Sequence, residues 1–337
     1  MSQSKSPRRW SAIAPSVLLL AGLLGMVAAN SGLRHMFAQA VATIDPLAVL
    51  AILPVQFVAI LLCTAAQQAL NVGIPFRSSL IARLVRDAAH SLLLFPPGLG
   101  DVVGARAVVL LGGRGRAAVA LRALDILAEV IAELPFMALA AYVLYHWGHW
   151  GDHSGMQGAA PGAASSGASP WWGLLAVPPL AYAGWRIWRG SAHHRRFIQT
   201  RTGRRLRAEI HLMRRELARQ RTGLPLAIIL HFFAWSMAGV QVWIAAHMFG
   251  LNLSLFAAFA IESAATAARM ILFFVPGGLV MQEAGAVLAG AAMGVAAPQA
   301  LALSLILRLR ELAFGLSLLM WPVLEYRARR RGDAVEG

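Results

Sequence analysis

Apolar residues fill long continuous stretches of this chain, at 11–29, 46–70, 117–145, 171–188, 224–247, 254–274 and 299–323. Each is close to the ~20 residues that a helix needs to cross hydrocarbon. The runs do not alternate with polar positions, which predicts helices and excludes the strands of a membrane barrel. Two stretches break the pattern. "LLLFPPG" (92–98) matches "ILFFVPG" (271–277) at a constant offset, and each is followed by a polar residue and a helix of small residues. Each half of the chain therefore holds two apolar spans, an interrupted segment and a long span carrying charge. The expected fold is an all-α, polytopic membrane bundle of about seven to eight spans, with two repeat-like halves and two re-entrant or broken helices.

The breaks are chemically costly in hydrocarbon. Proline removes a backbone donor, and the glycines after it ease sharp turns. Freed backbone groups survive at membrane depth only where protein or a water-filled cavity covers them. Paired interruptions at matching places in two halves point to a substrate site near the bilayer midplane. Pro97, Gly98, Pro276, Gly277 and Gly278 are expected to shape these breaks. The alternative is that the prolines simply end helices at the membrane surface. Counting spans also leaves a question. Seven crossings would put the two arginine-bearing termini on opposite sides, so either residues 281–297 supply one more crossing or one hairpin enters from each face.

Composition agrees with a membrane setting: 58% of the 337 residues are hydrophobic and only 13% charged, against about 25% charged in soluble domains. The formal charge of +15 is concentrated. Residues 186–221 hold twelve arginines against Glu209 and Glu216, whereas 146–185 carry no lysine or arginine. The positive-inside rule places the Lys5/Arg8/Arg9 start, the basic loop 186–222 and the tail 326–337 in the cytoplasm of a bacterial inner membrane. The opening run also looks like a signal peptide, and is read as a retained helix. Leu206, Ile210, Met213 and Leu217 recur at helical spacing in the basic loop, which lies against anionic lipid or serves as a solvated topogenic loop. Orientation already accounts for the charge, so nucleic acid is not an expected partner. The Gly/Ala/Ser/Pro-rich segment 151–170 reads as an extracytoplasmic linker between a first half, 1–150, and a second half, 171–325.

Charges inside the spans are the main candidate chemistry. Arg122, Asp125, Glu129 and Glu133 fall at i, i+3, i+7 and i+11, on one helical face. Glu262 and Arg269 share a face, as do Arg308 and Glu311. Such residues are expensive in a membrane and either pair with one another or line a pathway. The functional reading is a hydrated groove. Arg86, Arg106, Arg269 and Arg308 would attract an anionic head group, and Asp125, Glu129, Glu283 and Glu311 would partner them or carry protons, with Asp101, Glu262 and Gln282 completing the polar set. Other chemistry is weaker. Cys63 stands alone, and His146, His149, Asp152 and His153 have metal-binding types in an interfacial loop end, so no metal or cofactor is expected. No Walker loop, nucleophile elbow or zinc-protease motif occurs, and no catalytic residue is assigned.

At the two breaks the sequence resembles the flippase-like family that includes the transmembrane region of lysylphosphatidylglycerol synthase. "RLVRDAAHSLLLFPPGLGDVVGARAVVLLGG" with "RALDILAEV", and "FFVPGGLVMQEAGAVLAG" with "LRLRELAFG", are similar to that family's two blocks. Within it the likeness is greatest to the hopanoid biosynthesis-associated group, through the "VVGAR" step and the "PGGLVMQEAG" segment. Phe95-Pro96-Pro97 departs from the more polar first break expected there. The resemblance implies handling of a membrane lipid, a hopanoid or a phospholipid. Aminoacyl transfer belongs to a separate soluble domain in that family and is not expected here. The rival expectation is a non-transporting scaffold for hopanoid-making enzymes that docks them on the basic loop.

Overall fold

The computed structural model describes residues 29–70, 73–92, 98–113, 115–150, 222–271 and 281–336, with isolated positions at 200, 208, 211, 215 and 218. The expected spans 11–29 and 171–188, the linker 151–170 and most of the basic loop lie outside the described residues, as do Pro97, Pro276, Gly277 and Gly278. Residues 1–144 and 222–337 form one compact unit and 145–221 another. In the second, the rings of Tyr145 and His146 meet edge-on at 4.9 Å.

Every described element of the first unit is helical. A short helix α1 (Ser31–Thr43) precedes α2 (Pro46–Ala69). The Asp45 side chain accepts from Leu47 N at 2.8 Å and Pro46 opens α2, which together fix its start. Then come α3 (Phe76–Leu92), α4 (Leu99–Leu110) and the long α5 (Gly115–Trp150). The second half supplies α6 (Gly223–Met248), α7 (Leu255–Ile271), α8 (Met281–Ala292) and α9 (Ala297–Gly315). A 3-10 turn (Leu316–Leu319) leads to α10 (Met320–Glu336).

Among the described residues, three helical segments are long and apolar enough to cross a membrane: Pro46–Ala69, Leu121–Val143 and Gly223–Met248. The expected span 299–323 is divided instead. Gly315 lies against Leu92, and Ser317 Oγ donates to Leu84 O at 2.8 Å, so the backbone tightens into the 3-10 turn beside α3. The crossing suggested for 281–297 is not built either. Helix α8 ends at Ala292, and its 12 residues cover about 18 Å, short of the ~30 Å hydrocarbon core.

The described helices on either side of each break pack as antiparallel pairs. In the first, Gly100 sits against His90 and Gly104 against Arg86, so the contacts run in opposite directions along α3 and α4. In the second, Gly285 of α8 faces Ala264, Ala265 and Ala268 of α7. Small residues let the arms touch at backbone distance, as in membrane helix pairs generally. Gly98 has φ +81°, and its carbonyl accepts from Asp101 N and Val102 N, so the chain turns there directly into α4. Helices α2 and α6 pack along each other, and α9 lies against α1, α3 and α8. The alanine-rich core around Ala258, Ile261, Ala265, Ala286, Ala289 and Leu303 joins α7, α8 and α9. On the outside of α5, Leu127, Val130, Ile131 and Leu134 are exposed, opposite its carboxylates.

A methyl group on Gly285 would lie 2.6 Å from the Ala264 carbonyl oxygen. Gly285→Ala should therefore cost about 1–3 kcal/mol, read as a lower thermal unfolding midpoint in detergent. An unchanged midpoint would mean that the arms of the second hairpin are not in contact.

Candidate functional site

Helix α3 brings Arg83, Arg86 and Asp87 to one side, where α5 presents Arg122, Asp125 and Glu129. Arg83 donates to Asp87 at 2.8 Å and Glu129 at 3.0 Å. Arg86 reaches Asp101 of α4 at 2.9 Å and Glu129 at 3.0 Å. Arg122 donates to Asp101 at 2.8 Å and also pairs with Asp125. Asp125 is tied further. Gln67 of α2 donates to one of its oxygens at 2.9 Å, and His231 of α6 lies 2.8 Å from the other. Each buried carboxylate here thus meets several donors, as burial of charge demands.

The second half repeats this wiring with other residues. Arg308 of α9 donates to Glu283 of α8 at 3.0 Å and to Glu311, three positions further on, also at 3.0 Å. In the first half Arg122 joins Asp101 of the return arm to Asp125, likewise three positions on. Arg310 pairs with Glu311 at 3.4 Å and donates to Gln241 of α6, which itself donates to Gln56 of α2 at 3.2 Å. Arg269 is the most loosely held, 3.9 Å from Glu311 with a side chain 27% exposed.

Between these two networks lies a cavity of about 530 Å³. Gly98, Leu99 and Gly100 line it beside the first break, and Arg269, Met270 and Gln282 beside the second. Arg86, Asp101, Glu129, Glu262, Arg308 and Glu311 complete much of its polar wall. Asp125 and Glu283 stand behind that wall, Asp125 4.0 Å from Arg83 and Glu283 accepting from Arg308. Expectation and structure separate at Arg106. It points away from the cavity, half-exposed, and pairs with Glu325 of α10 at 3.3 Å. Arg86 occupies the inner side of the α3–α4 contact, so Arg106 sits on the outer side of α4.

Several participants were not singled out as site residues by sequence reasoning. Arg83 and Asp87 lie in the stretch just before the first break. Arg122 and Glu133 stand on the charged face of α5 that the spacing predicts, without an assigned role there. His231, Gln241 and Gln67 sit singly in apolar runs, where the cost of burying an unsatisfied polar group is the signal that could have marked them. Arg310 follows Arg308 by two positions, which a single-face argument discards. Among the described residues no group of three His, Cys, Asp or Glu side chains could hold a metal ion. The side chains of His149, Asp152 and His153 lie outside the described residues.

Fold and site together define a helical membrane protein whose charged residues gather round an internal cavity between two helical hairpins. The chain belongs to the family described as the lysylphosphatidylglycerol synthase TM region, whose model matches residues 13–318. No curated protein and no solved structure matches it.

Removing one member of a buried pair leaves the other charge uncompensated. Arg122→Gln should thus destabilise the folded protein by roughly 3–5 kcal/mol, whereas Arg106→Gln, at an exposed pair, should stay within about 1 kcal/mol. Thermal unfolding of the two variants in one detergent checks the contrast, and equal shifts would contradict it.

Proposed function

We propose that this protein passes the head group of a membrane lipid, a hopanoid or a phospholipid, between leaflets through the cavity. One observation carries the reading. The residues flanking both chain breaks, far apart in sequence, line a single polar space enclosed by apolar helices. A head group could exchange its water shell for the arginines and carboxylates of that wall, while the acyl part stays among lipid. Family membership supports a lipid-related role in a membrane.

The hairpins also give a consistent topology. With α7 as a hairpin arm rather than a crossing, the spans are the 11–29 run, α2, α5, the 171–188 run, α6 and α9, which is less apolar than the other described spans because its charges face the cavity. An even number of crossings keeps both basic termini and the basic loop in the cytoplasm of a bacterial inner membrane. One hairpin then enters from each face, the arrangement of inverted repeats that meet at a midplane site. The lipid is moved unchanged in this reading, so the protein acts as a carrier and not as an enzyme.

Two measurements test this. In vesicles containing purified protein, transfer of a head-group-labelled lipid should fall at least about tenfold in Glu283→Gln, because Arg308 loses one of its two carboxylate partners and its tie to the hairpin. Unchanged transfer with normal folding would remove Glu283 from the path. Cys63, the sole cysteine, lines the cavity. A membrane-impermeant thiol reagent should label it in the wild-type protein and react more slowly when lipid substrate is added. Complete protection in both conditions would mean that the space is dry.

A further inference from the structure

Six arginines and eight carboxylates make up the two networks and the cavity wall. Asp87, Asp101, Asp125 and Glu129 each lie within ion-pairing distance of at least one of Arg83, Arg86 and Arg122. Glu283 and Glu311 are tied to Arg308, and Glu311 also to Arg269 and Arg310. The two carboxylates with no arginine at that distance are Glu133 and Glu262, and both line the cavity. Glu133 is 2% exposed and its Oε1 has no hydrogen-bond partner. Glu262 receives one long hydrogen bond, from Thr266 at 3.3 Å.

Each of these two side chains is one turn from a ring contact that joins their helices. Phe136, three positions after Glu133 on α5, stacks with Phe259, three positions before Glu262 on α7, at 6.4 Å between ring centres. Glu133 is also one turn beyond Glu129, whose oxygens are already taken by Arg83 and Arg86. It therefore stands between the two filled networks, on the same face of α5.

Resting on the translocation reading, we infer that Glu133, with Glu262 on the same cavity wall, is where the cavity takes up and releases a proton as the head group passes, coupling transfer to a proton gradient. An ionised carboxylate in this position has no arginine within ion-pairing distance, so its charge is the least compensated of the wall and a mobile cation can balance it. A proton suits the site. The described residues offer no trio of metal-ligating side chains, and arginines on the surrounding helices repel a metal ion. The proton leaves water on one side, joins the carboxylate and is released to water on the other, with no bond in the lipid altered.

Other groups facing this space are fixed or peripheral. Helix α3 contributes Arg83, Arg86, Asp87 and His90, and α4 contributes Asp101. Helix α7 adds Arg269, and α9 adds Arg308, Arg310 and Glu311, while α2 presents Cys63 and α8 presents the neutral Gln282. His231 of α6 is fully buried and engaged with Asp125. His90 is the remaining titratable side chain of the wall that lacks an arginine-held carboxylate partner, and it lies at the break end of α3.

Full-length protein in vesicles, with labelled lipid outside and a pH-sensitive dye inside, tests the assignment. Wild-type transfer should change several-fold when a pH gradient is imposed, with proton movement accompanying it. Glu133→Gln should lose that response, Glu133→Asp should restore part of it, and His90→Gln should keep it. Glu133→Gln should also unfold at or above the wild-type temperature, because it removes an unbalanced charge, whereas Glu129→Gln unfolds lower. Infrared difference spectra between acid and alkaline buffer supply a readout independent of transport: a carboxylic-acid band that disappears in Glu133→Gln. Wild-type transfer indifferent to the pH gradient, transfer following a sodium gradient instead, or a Glu133→Gln variant that still responds would each overturn the proton site while leaving translocation standing. Absence of wild-type transfer with the infrared band present would sink translocation and keep the titrating carboxylate.

Discussion

Charge sheltered from hydrocarbon needs a partner, and that constraint organises this molecule. Moving one ion out of water costs several kcal/mol even after relaxation, and the cost is recovered only through good geometry and complete hydrogen bonding. The chain meets the demand by spreading donors and acceptors over several helices, so that α2 and α6 supply Gln67, His231 and Gln241 to arginines and acids rooted on α3, α4, α5 and α9. No single helix could satisfy its own charges. Folding the first half without the second would cost Asp125 its His231 contact, and folding the second without the first would leave Gln241 without Gln56.

The helical hairpins follow from the same physics. A 12-residue arm cannot span the membrane, so its backbone ends and polar side chains must be covered by protein. Glycines at 100, 104 and 285 bring the arms into contact, and the side chains beside the turns are directed into the space between the halves. What results is a polar cavity enclosed by helices whose outer faces are leucine, isoleucine, valine and phenylalanine. Most of its charges are locked in pairs. The exceptions, Arg269, Glu133 and Glu262, are the groups free to interact with something that enters.

Parallel wiring in the two halves gives the arrangement its logic. In each, an arginine bridges an acid on the hairpin's return arm to an acid three positions further along its own helix: Asp101–Arg122–Asp125 and Glu283–Arg308–Glu311. The sequence offsets between these members are not identical, so a matched stretch around the proline breaks finds only the start of the correspondence. The second half differs from the first in holding its third arginine, Arg269, loosely. The parallel wiring thus yields a cavity whose sides are chemically unequal.

The sequence by itself determined that the chain is a helical membrane protein, where its breaks lie, and that Asp125, Glu129 and Glu133 share a face. Hydrocarbon thickness and helical periodicity are local constraints, and both can be read along a single chain. Which charges are satisfied is not local. Arg106 and Arg86 look alike in sequence, yet one faces Glu325 at an exposed contact and the other the cavity, because the choice is made by the packing of α3 on α4. Likewise, only the assembled helices distinguish Glu129, held by arginines of α3, from Glu133 one turn away, which has none. Pairing between distant segments is set in three dimensions, and a one-dimensional pattern contains the partners without the distances between them.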